Sequence, residues 1–220
     1  MTAAQSPATG ASAAGEASPD LPEVAGEPTA VLGETGAVAF GTLVWVPALE
    51  RRDLLAEPVH VALAELADRH PDLAEQILVA EIDPEHADTA AMTTAYALPL
   101  EVSANCVLVA GRRAGEERVA ACVVRATTRA DVNNVVRRLL DVRKASFWPT
   151  EQAVAASGME YGAITPVGVP DGWRLLLDPR VTTGHAIVGS GIRGSKLLLP
   201  GEALAVLPGA EVVPGLAQPA

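Results

Sequence analysis

One stretch of the chain, SGMEYGAITPVG (residues 157–168), has the composition of a loop that presents backbone N–H groups to a ligand. Its three glycines permit unusual backbone angles, and Pro166 fixes φ and removes one donor, so the stretch favours a defined loop shape. The N–H groups of such a loop, with the Thr165 hydroxyl, would suit a developing oxyanion. A helix exit followed by an ordinary turn is the alternative interpretation.

A second candidate is Asn105, which lies inside the apolar run EVSANCVLVAG (residues 101–111). Asn is depleted in strands, and a buried carboxamide without partners costs about 1–3 kcal/mol. The side chain offers two N–H donors and one acceptor, so it either bonds to a neighbouring loop or contacts a ligand. Because strand alternation puts Asn105 and Cys106 on opposite faces, we expect only one of them to face a pocket.

Other catalytic and cofactor chemistries lack the residues they need. The segment GSGIRG (residues 189–194) satisfies the string GxGxxG, but no helix fits between it and Pro200, so we interpret it as a tight hairpin and not as a dinucleotide site. The four histidines are far apart, the two cysteines form no CxxC pair, and no GxSxG serine motif is present. The sequence therefore predicts no metal and no cofactor.

The charge distribution leaves the partner open. A formal net charge of −11 argues against nucleic acid, yet residues 102–144 contain nine basic and four acidic side chains, a balance of +5. Such a block either follows a phosphate backbone or forms solvated arginine faces. The longest nearly uncharged run, residues 36–49, is too short to span a bilayer, and residues 1–35 lack the features of a secretory signal. We therefore expect a cytoplasmic protein with no membrane partner.

The elements that must position these residues follow one another irregularly. Residues 1–35 are rich in Ala, Ser, Pro and Gly, which predicts a disordered tail. Strands are predicted at residues 37–46, 76–82, 102–110, 118–126, 143–147, 173–178, 185–191 and 195–199. Helices are predicted at residues 59–70, 84–97, 128–140 and 150–158, with a last helical turn near residues 201–213. The order predicts a mixed α/β (α+β) fold, a single domain with a barrel-like β-sheet and surrounding helices.

The order and spacing of these motifs resemble the YbaK/ProX family of aminoacyl-tRNA deacylases, which also occurs as an editing insertion in prolyl-tRNA synthetases. GAITP (residues 162–166) corresponds to the GxxxP loop of that family, LLLD (175–178) to its strand ending in aspartate, and VGSGIRG (188–194) to its glycine-rich hairpin. The family strand typically carries lysine followed by threonine where this chain has Asn105 and Cys106. The only lysines of the chain are Lys144 and Lys196.

The resemblance implies a deacylase that acts in trans and hydrolyses the ester of a mischarged aminoacyl-tRNA. Its partners would be the acceptor end of the tRNA and an aminoacyl-tRNA synthetase, and not DNA. The alternative, favoured by the neutral side chain at Asn105, is a non-catalytic module that binds a charged acceptor end or a synthetase. The implied boundaries are a strand-helix-strand extension at residues 36–83, the editing domain at residues 84–213 and a C-terminal tail at residues 214–220.

The resemblance also assigns site residues, which fall into two groups. Asp178 would bind a substrate ammonium or orient water, although a residue before proline also forms turns. The implied catalytic residues are Asn105, Gly162, Thr165 and Asp178. The implied substrate-binding residues are Tyr161, Ala163, Ile164, Pro166, Gly189, Ser190, Gly191 and Arg193.

Overall fold

The computed structural model describes residues 30–32 and 37–220 of the chain. Most of the predicted tail therefore lies outside the described residues. Ala30–Leu32, at its end, form strand β1, which pairs antiparallel with β2 (Ala37–Phe40).

Two large sheets form the frame of the molecule. The first has the order β1-β2-β3-β4-β11-β10, with β3 at Leu43–Pro47, β4 at Leu78–Glu81, β10 at His185–Gly189 and β11 at Ser195–Pro200. The second has the order β12-β9-β6-β5-β8, with β5 at Ala104–Arg113, β6 at Glu116–Arg125, β8 at Ala145–Phe147, β9 at Arg174–Leu177 and β12 at Ala210–Val212. The long β5–β6 hairpin is antiparallel as predicted, whereas β9 runs parallel to β6.

The two sheets meet at one bridge, where Ser103, just before β5, pairs with Ile187 of β10. Beyond this bridge β5 leaves β10, and from Val109 onward it pairs with β8. Between these two points the edge of β5 that faces away from β6 has no neighbouring strand among the described residues. The described strands do not close a barrel, but the predicted mixed α/β architecture is confirmed.

The described residues form six α-helices that pack around the sheets: α1 (Glu57–Arg69), α2 (Pro71–Ala74), α3 (Thr89–Ala95), α4 (Arg137–Leu139), α5 (Thr150–Ser157) and α6 (Gly201–Ala205). Helix α5 ends at Gly158, which adopts left-handed angles (φ +67°), as the sequence predicts. None of the helices in the described residues combines the length and the apolar character needed to cross a membrane.

The helix predicted at residues 84–97 is divided in the structure. Asp83 caps only a short 3-10 turn, Pro84–His86, by accepting a hydrogen bond from Glu85 N at 2.9 Å. Asp88 then adopts extended backbone angles (φ −72°, ψ 140°), so α3 begins only at Thr89. Because of this break, residues 87–89 can form hydrogen bonds with side chains of β5 and β11.

The helix predicted at residues 128–140 also begins late. Thr128–Ala130 form a strand, β7, that pairs with β13 (Ala217–Pro219). Asp131 then caps a π-helical turn, Val132–Val136, that leads into α4. The predicted C-terminal tail therefore contains a paired strand, and Leu216 beside it is fully buried.

The segment predicted as an N-terminal extension belongs to the first sheet. Residues 36–83 supply β2, β3 and β4, and β4 pairs antiparallel with β11. Trp45 of β3 has no exposed surface and packs in one cluster with Ile187 and Leu198. This shared core fixes β10 and β11, the strands that face β5.

Candidate functional site

A cleft of about 370 Å³ opens where β5 leaves β10. Its size falls within the range of roughly 300–1,000 Å³ that is typical of small-ligand sites. The free edge of β5 forms one wall, and the other walls come from residues 87–92, residues 147–153, loop residues 161–164 and the strands β10 and β11. Five predicted site residues line it: Asn105, Tyr161, Gly162, Ile164 and Gly189.

Asn105 is half-buried, and the oxygen of its side-chain amide has a hydrogen-bond partner. Its Oδ1 accepts a hydrogen bond from Thr89 Oγ1 at 2.8 Å, so the start of α3 holds the side chain. None of the described residues accepts a hydrogen bond from its Nδ2. The amide thus has a partner for its acceptor and keeps its two donors for a ligand or water.

The backbone of Cys106 faces the same cleft. Leu108 O accepts from Trp148 N at 2.9 Å, whereas Ser103 O accepts from Ala126 N at 2.8 Å on the opposite side. Because backbone groups alternate between the two edges of a strand, Cys106 shares the orientation of Leu108 and directs its N–H and C=O toward the unpaired edge. Both residues line the cleft, Cys106 through its backbone, because the cleft opens at an edge of the strand and not on a face. The expectation that only one of the two side chains faces the pocket stays a prediction. Burial raises the pKa of the Cys106 thiol, which stays protonated.

Lys196 of β11 also lines the cleft, although it is not among the site residues predicted from the sequence. The residue is 6% exposed, and its Nζ donates a hydrogen bond to Ala87 O at 2.7 Å. Burial lowers the pKa of Lys196 to about 8; the nearby Arg193 adds to this shift, and Asp88 opposes it. A lysine inside the apolar run SKLLLP was the signal that could have identified it, because lysine is almost never fully buried without a specific reason.

The glycine-rich loop and the hairpin approach each other closely at one side of the cleft. A Cβ at Gly189 would lie 2.2 Å from Ala163 O, and one at Gly162 (φ +75°) would lie 2.4 Å from Arg193 Nη1. Gly191 N donates to Ala163 O at 3.0 Å, which fixes the loop against the hairpin. Ala163 and Gly191 thus shape the wall without lining the cleft.

Arg193 forms hydrogen bonds that connect three segments at the rim of the cleft. Its guanidinium donates to Tyr161 O (3.2 Å) and to Pro84 O (2.9 Å), and its backbone N donates to Glu160 Oε2 at 2.7 Å. It also lies 5.9 Å from the centre of the Tyr161 ring. Arg193 does not line the cleft itself; it positions Tyr161, whose ring is exposed at the cleft.

Three other predicted residues lie away from the cleft. Thr165 is fully buried, and its Oγ1 has no hydrogen-bond partner among the described residues. Pro166 lines a separate groove beside α1. Ser190 Oγ lies 2.6 Å from Ser195 Oγ, which in turn donates to Leu54 O. These contacts hold the loop and the hairpin in shape.

Asp178 does not belong to the cleft lining either. It is 1% exposed, its Oδ1 accepts from Arg180 N (3.0 Å), and its Oδ2 accepts from Ala217 N (3.1 Å). The carboxylate therefore caps the 3-10 turn Pro179–Thr182 and ties down β13. The geometry matches the turn-forming alternative and not the catalytic one.

Two buried polar atoms at the cleft lack a partner among the described residues: Ser103 Oγ and Trp148 Nε1. Buried polar groups are nearly always hydrogen-bonded, so such atoms indicate where a ligand or water binds. Trp148 packs edge-to-face on Trp173 (5.1 Å between ring centres), and Phe147 beside it is 66% exposed. The cleft thus has polar atoms in its interior and aromatic side chains at its mouth.

Asp88 and Thr89 complete the set that sequence reasoning missed, because both were assigned to the helix predicted at residues 84–97, with Asp88 in its first turn. Asp88 makes no capping hydrogen bond and lines the cleft with its carboxylate near Lys196. Asp88 and Lys196 are the residues with formal charges in the described lining.

Part of the basic block is occupied by internal contacts. Arg113 and Arg118 both pair with Asp141, and Arg112 pairs with Glu117. Arg125 is buried and bonded to backbone carbonyls. Solvated or structural arginine therefore accounts for much of the positive balance.

Most of the chain is similar to known proteins. The profile of the family described as aminoacyl-tRNA editing domain matches residues 83–207. The fold is similar to that of a protein proposed to be a trans-editing enzyme for prolyl tRNA synthetase, with a TM-score of 0.58 and 17% identity over 73% of this chain and 97% of that one. A hypothetical protein is similar as well, with a TM-score of 0.59 and 17% identity over 71% of this chain and 99% of that one. No curated protein matches the chain.

Proposed function

The chain belongs to the aminoacyl-tRNA editing domain family, and on that premise we propose that it is a deacylase that acts in trans on a mischarged aminoacyl-tRNA. The reaction is hydrolysis of the ester that joins the amino acid to the terminal ribose. We assign the editing unit to residues 84–213, with residues 36–83 as its support, and a cytoplasmic location. No cofactor enters the proposal.

The observation that carries the proposal is the cleft at the unpaired edge of β5, which several hydrogen-bond donors line. Asn105 Nδ2, Ser103 Oγ and the N–H of Cys106 lie on or beside this edge. Donors that are already oriented toward a developing oxyanion stabilise the transition state of acyl transfer, and one such donor is worth on the order of 10²–10³ in rate. A neutral amide supplies a weaker hydrogen bond than an ammonium, so Asn105 alone would give slow catalysis.

The rim suits the terminal nucleoside of a tRNA. Tyr161 and Phe147 are 64% and 66% exposed and line the same cleft. Exposed aromatic rings stack on bases with little sequence preference, at about 1–3 kcal/mol per base. In this pose the carboxylate of Asp88 would accept hydrogen bonds from the α-ammonium of the amino acid.

A second candidate function is favoured by one residue. With Asn105 where the related deacylases carry lysine, the domain would bind a charged acceptor end, or a synthetase, without turnover. Binding would then depend on salt concentration because phosphate contacts release counterions.

A panel of charged tRNAs tests the proposal. The protein is incubated with tRNAs carrying Ala, Cys, Ser or Pro, and ester loss is followed against a control without protein. Faster ester loss for at least one of them is the expected result. No acceleration together with salt-sensitive binding would favour the binding module, and loss of both would refute a role at the acceptor end.

A further inference from the structure

We propose that Lys196 is a catalytic residue of this cleft and that its Nζ donates a charged hydrogen bond to the carbonyl oxygen of the scissile ester. The inference rests on the deacylase function proposed above. It assigns the cationic donor of the site to β11, on the wall opposite β5.

The first support is that Lys196 and Asn105 are hydrogen-bonded to the same short segment of the chain. Lys196 Nζ bonds to Ala87 O, and Asn105 Oδ1 bonds to the hydroxyl of Thr89, two residues further along the same segment. Both side chains line the same cleft. The residues at the start of α3 and just before it therefore hold the carboxamide and the ammonium in one cleft, where both can donate to a single oxygen atom.

The second support is that the buried ammonium is only partly satisfied. It carries three N–H donors, and the described residues supply one hydrogen-bond acceptor, Ala87 O. No described carboxylate lies within salt-bridge distance of Nζ, although Asp88 is close enough to affect it. Methionine would fill this place in the apolar strand without the cost of desolvating a charge. A buried, perturbed and under-bonded charge in a cleft is typical of a functional site.

The third support is the charge pattern of the lining. Lys196 and Asp88 are its formally charged members, and they have opposite signs. An aminoacyl ester presents an α-ammonium and, three bonds from its nitrogen, a carbonyl oxygen that becomes negative during hydrolysis. The carboxylate suits the first group and the lysine suits the second. Arg193, the other nearby cation, is already bonded to Tyr161 O and Pro84 O.

The chemical step balances without an additional reactant. The oxygen of a water molecule attacks the carbonyl carbon, and the π pair moves onto the carbonyl oxygen, where Lys196 Nζ and Asn105 Nδ2 donate hydrogen bonds. The tetrahedral intermediate collapses, the bond to the ribose oxygen breaks, and that oxygen takes its electron pair and a proton from the attacking water. The products are the free amino acid and a tRNA with its terminal hydroxyl restored.

The decisive comparison is Lys196→Met against Lys144→Met. Lys144 is the only other lysine, is exposed, and does not line the cleft, so its variant controls for the loss of one positive charge. On any charged tRNA that the wild type hydrolyses, Lys196→Met should lower kcat on the order of 10²–10³-fold. It should leave KM within about threefold, and Lys144→Met should match the wild type. The double variant Asn105→Lys/Lys196→Met should regain part of the rate, because it returns an ammonium to the cleft from β5.

A pH profile of the wild type keeps the test valid if Lys196→Met fails to fold. With Lys196 titrating at a pKa of about 8, the protein-dependent rate should level off and then fall above that pH, while hydrolysis without protein continues to rise. Asp88 and Arg193 face the ammonium, and Cys106 and Tyr161 share the cleft, so the profile is compared with that of Lys196→Arg. The guanidinium keeps its charge across this range, so Lys196→Arg should lose the descending limb.

The outcomes separate the two proposals. A wild type that hydrolyses a charged tRNA, with Lys196→Met within threefold of it, overturns the role of Lys196 and leaves the deacylase function intact. An unchanged descending limb in Lys196→Arg also overturns that role. A wild type that accelerates no ester refutes the deacylase function and the role of Lys196 with it.

Discussion

Two buried cations of this protein are held in opposite ways, and the contrast separates structure from function. Arg125 and Lys196 are 9% and 6% exposed, and burial lowers the pKa of each. Arg125 is bonded to four backbone carbonyls, those of Val102, Arg180, Thr183 and His185, at 2.7–3.0 Å. Lys196 has one carbonyl, at the wall of an open cleft. A saturated cation fixes the fold, whereas an under-bonded one at a cleft is available to a ligand.

The largest effect that would test this contrast is the loss of the saturated cation. Arg125→Met removes the donors of four carbonyls that join the turn after β9, the start of β10 and the end of the turn before β5. We expect the free energy of unfolding to fall by about 3–5 kcal/mol, since buried polar groups are left without partners. Urea denaturation measures it. A loss below about 1 kcal/mol would show that the carbonyls find other partners.

The under-bonded cation should behave in the opposite way. The pKa of Lys196 falls from 10.5 to about 8 on folding, so the unfolded chain binds more protons between these values and stability rises with pH across that window. At pH 7 the full cost of burying the charge remains. Lys196→Met should therefore raise the free energy of unfolding at pH 7 by on the order of 2–3 kcal/mol, and the gain should vanish as the pH approaches 10.5.

Urea denaturation at pH 7, 9 and 10 checks this prediction, with Lys144→Met as the control. Subtracting the control removes the effect of losing one positive charge from the chain. A destabilised Lys196→Met at pH 7 would mean that the lysine stabilises the fold as Arg125 does.

The sequence predicted what depends on neighbours along the chain. The β5–β6 hairpin is marked by two apolar runs around a turn, and the end of α5 is marked by Gly158, so both are correct in the structure. The late start of α4 was not predictable in this way. Thr128–Ala130 become a strand because β13, at the far end of the chain, pairs with them, and this contact outweighs a local capping pattern.

The same limit applies to the site. Asn105 was identified because an amide inside an apolar strand is unusual, and it lines the cleft. Lys196 was missed because its place in the cleft depends on Ala87, 109 positions away, and on the gap between β5 and β10. Strand alternation predicts which side chains share a face of β5, but it does not predict that a cleft opens at the edge of the strand. The order of the motifs predicted that the glycine-rich loop belongs to the site. Which of its residues line the cleft and which are buried behind it became visible only in the structure.

The smallest expected effect concerns Asp178, where an isosteric change separates the catalytic from the structural interpretation. Each carboxylate oxygen accepts one backbone N–H, from Arg180 and Ala217. In Asp178→Asn one oxygen becomes an NH₂ donor that faces an N–H donor, so one bond is lost and unfolding should become easier by about 1–2 kcal/mol. The amide of Ala217 should exchange its hydrogen faster, because β13 loses its tie, while ester hydrolysis per folded molecule stays within twofold of the wild type. A large loss of rate with unchanged stability would mean that Asp178 takes part in the reaction. A fully hydrogen-bonded buried charge would then also be catalytic, and the contrast between saturated and under-bonded charges would no longer single out Lys196.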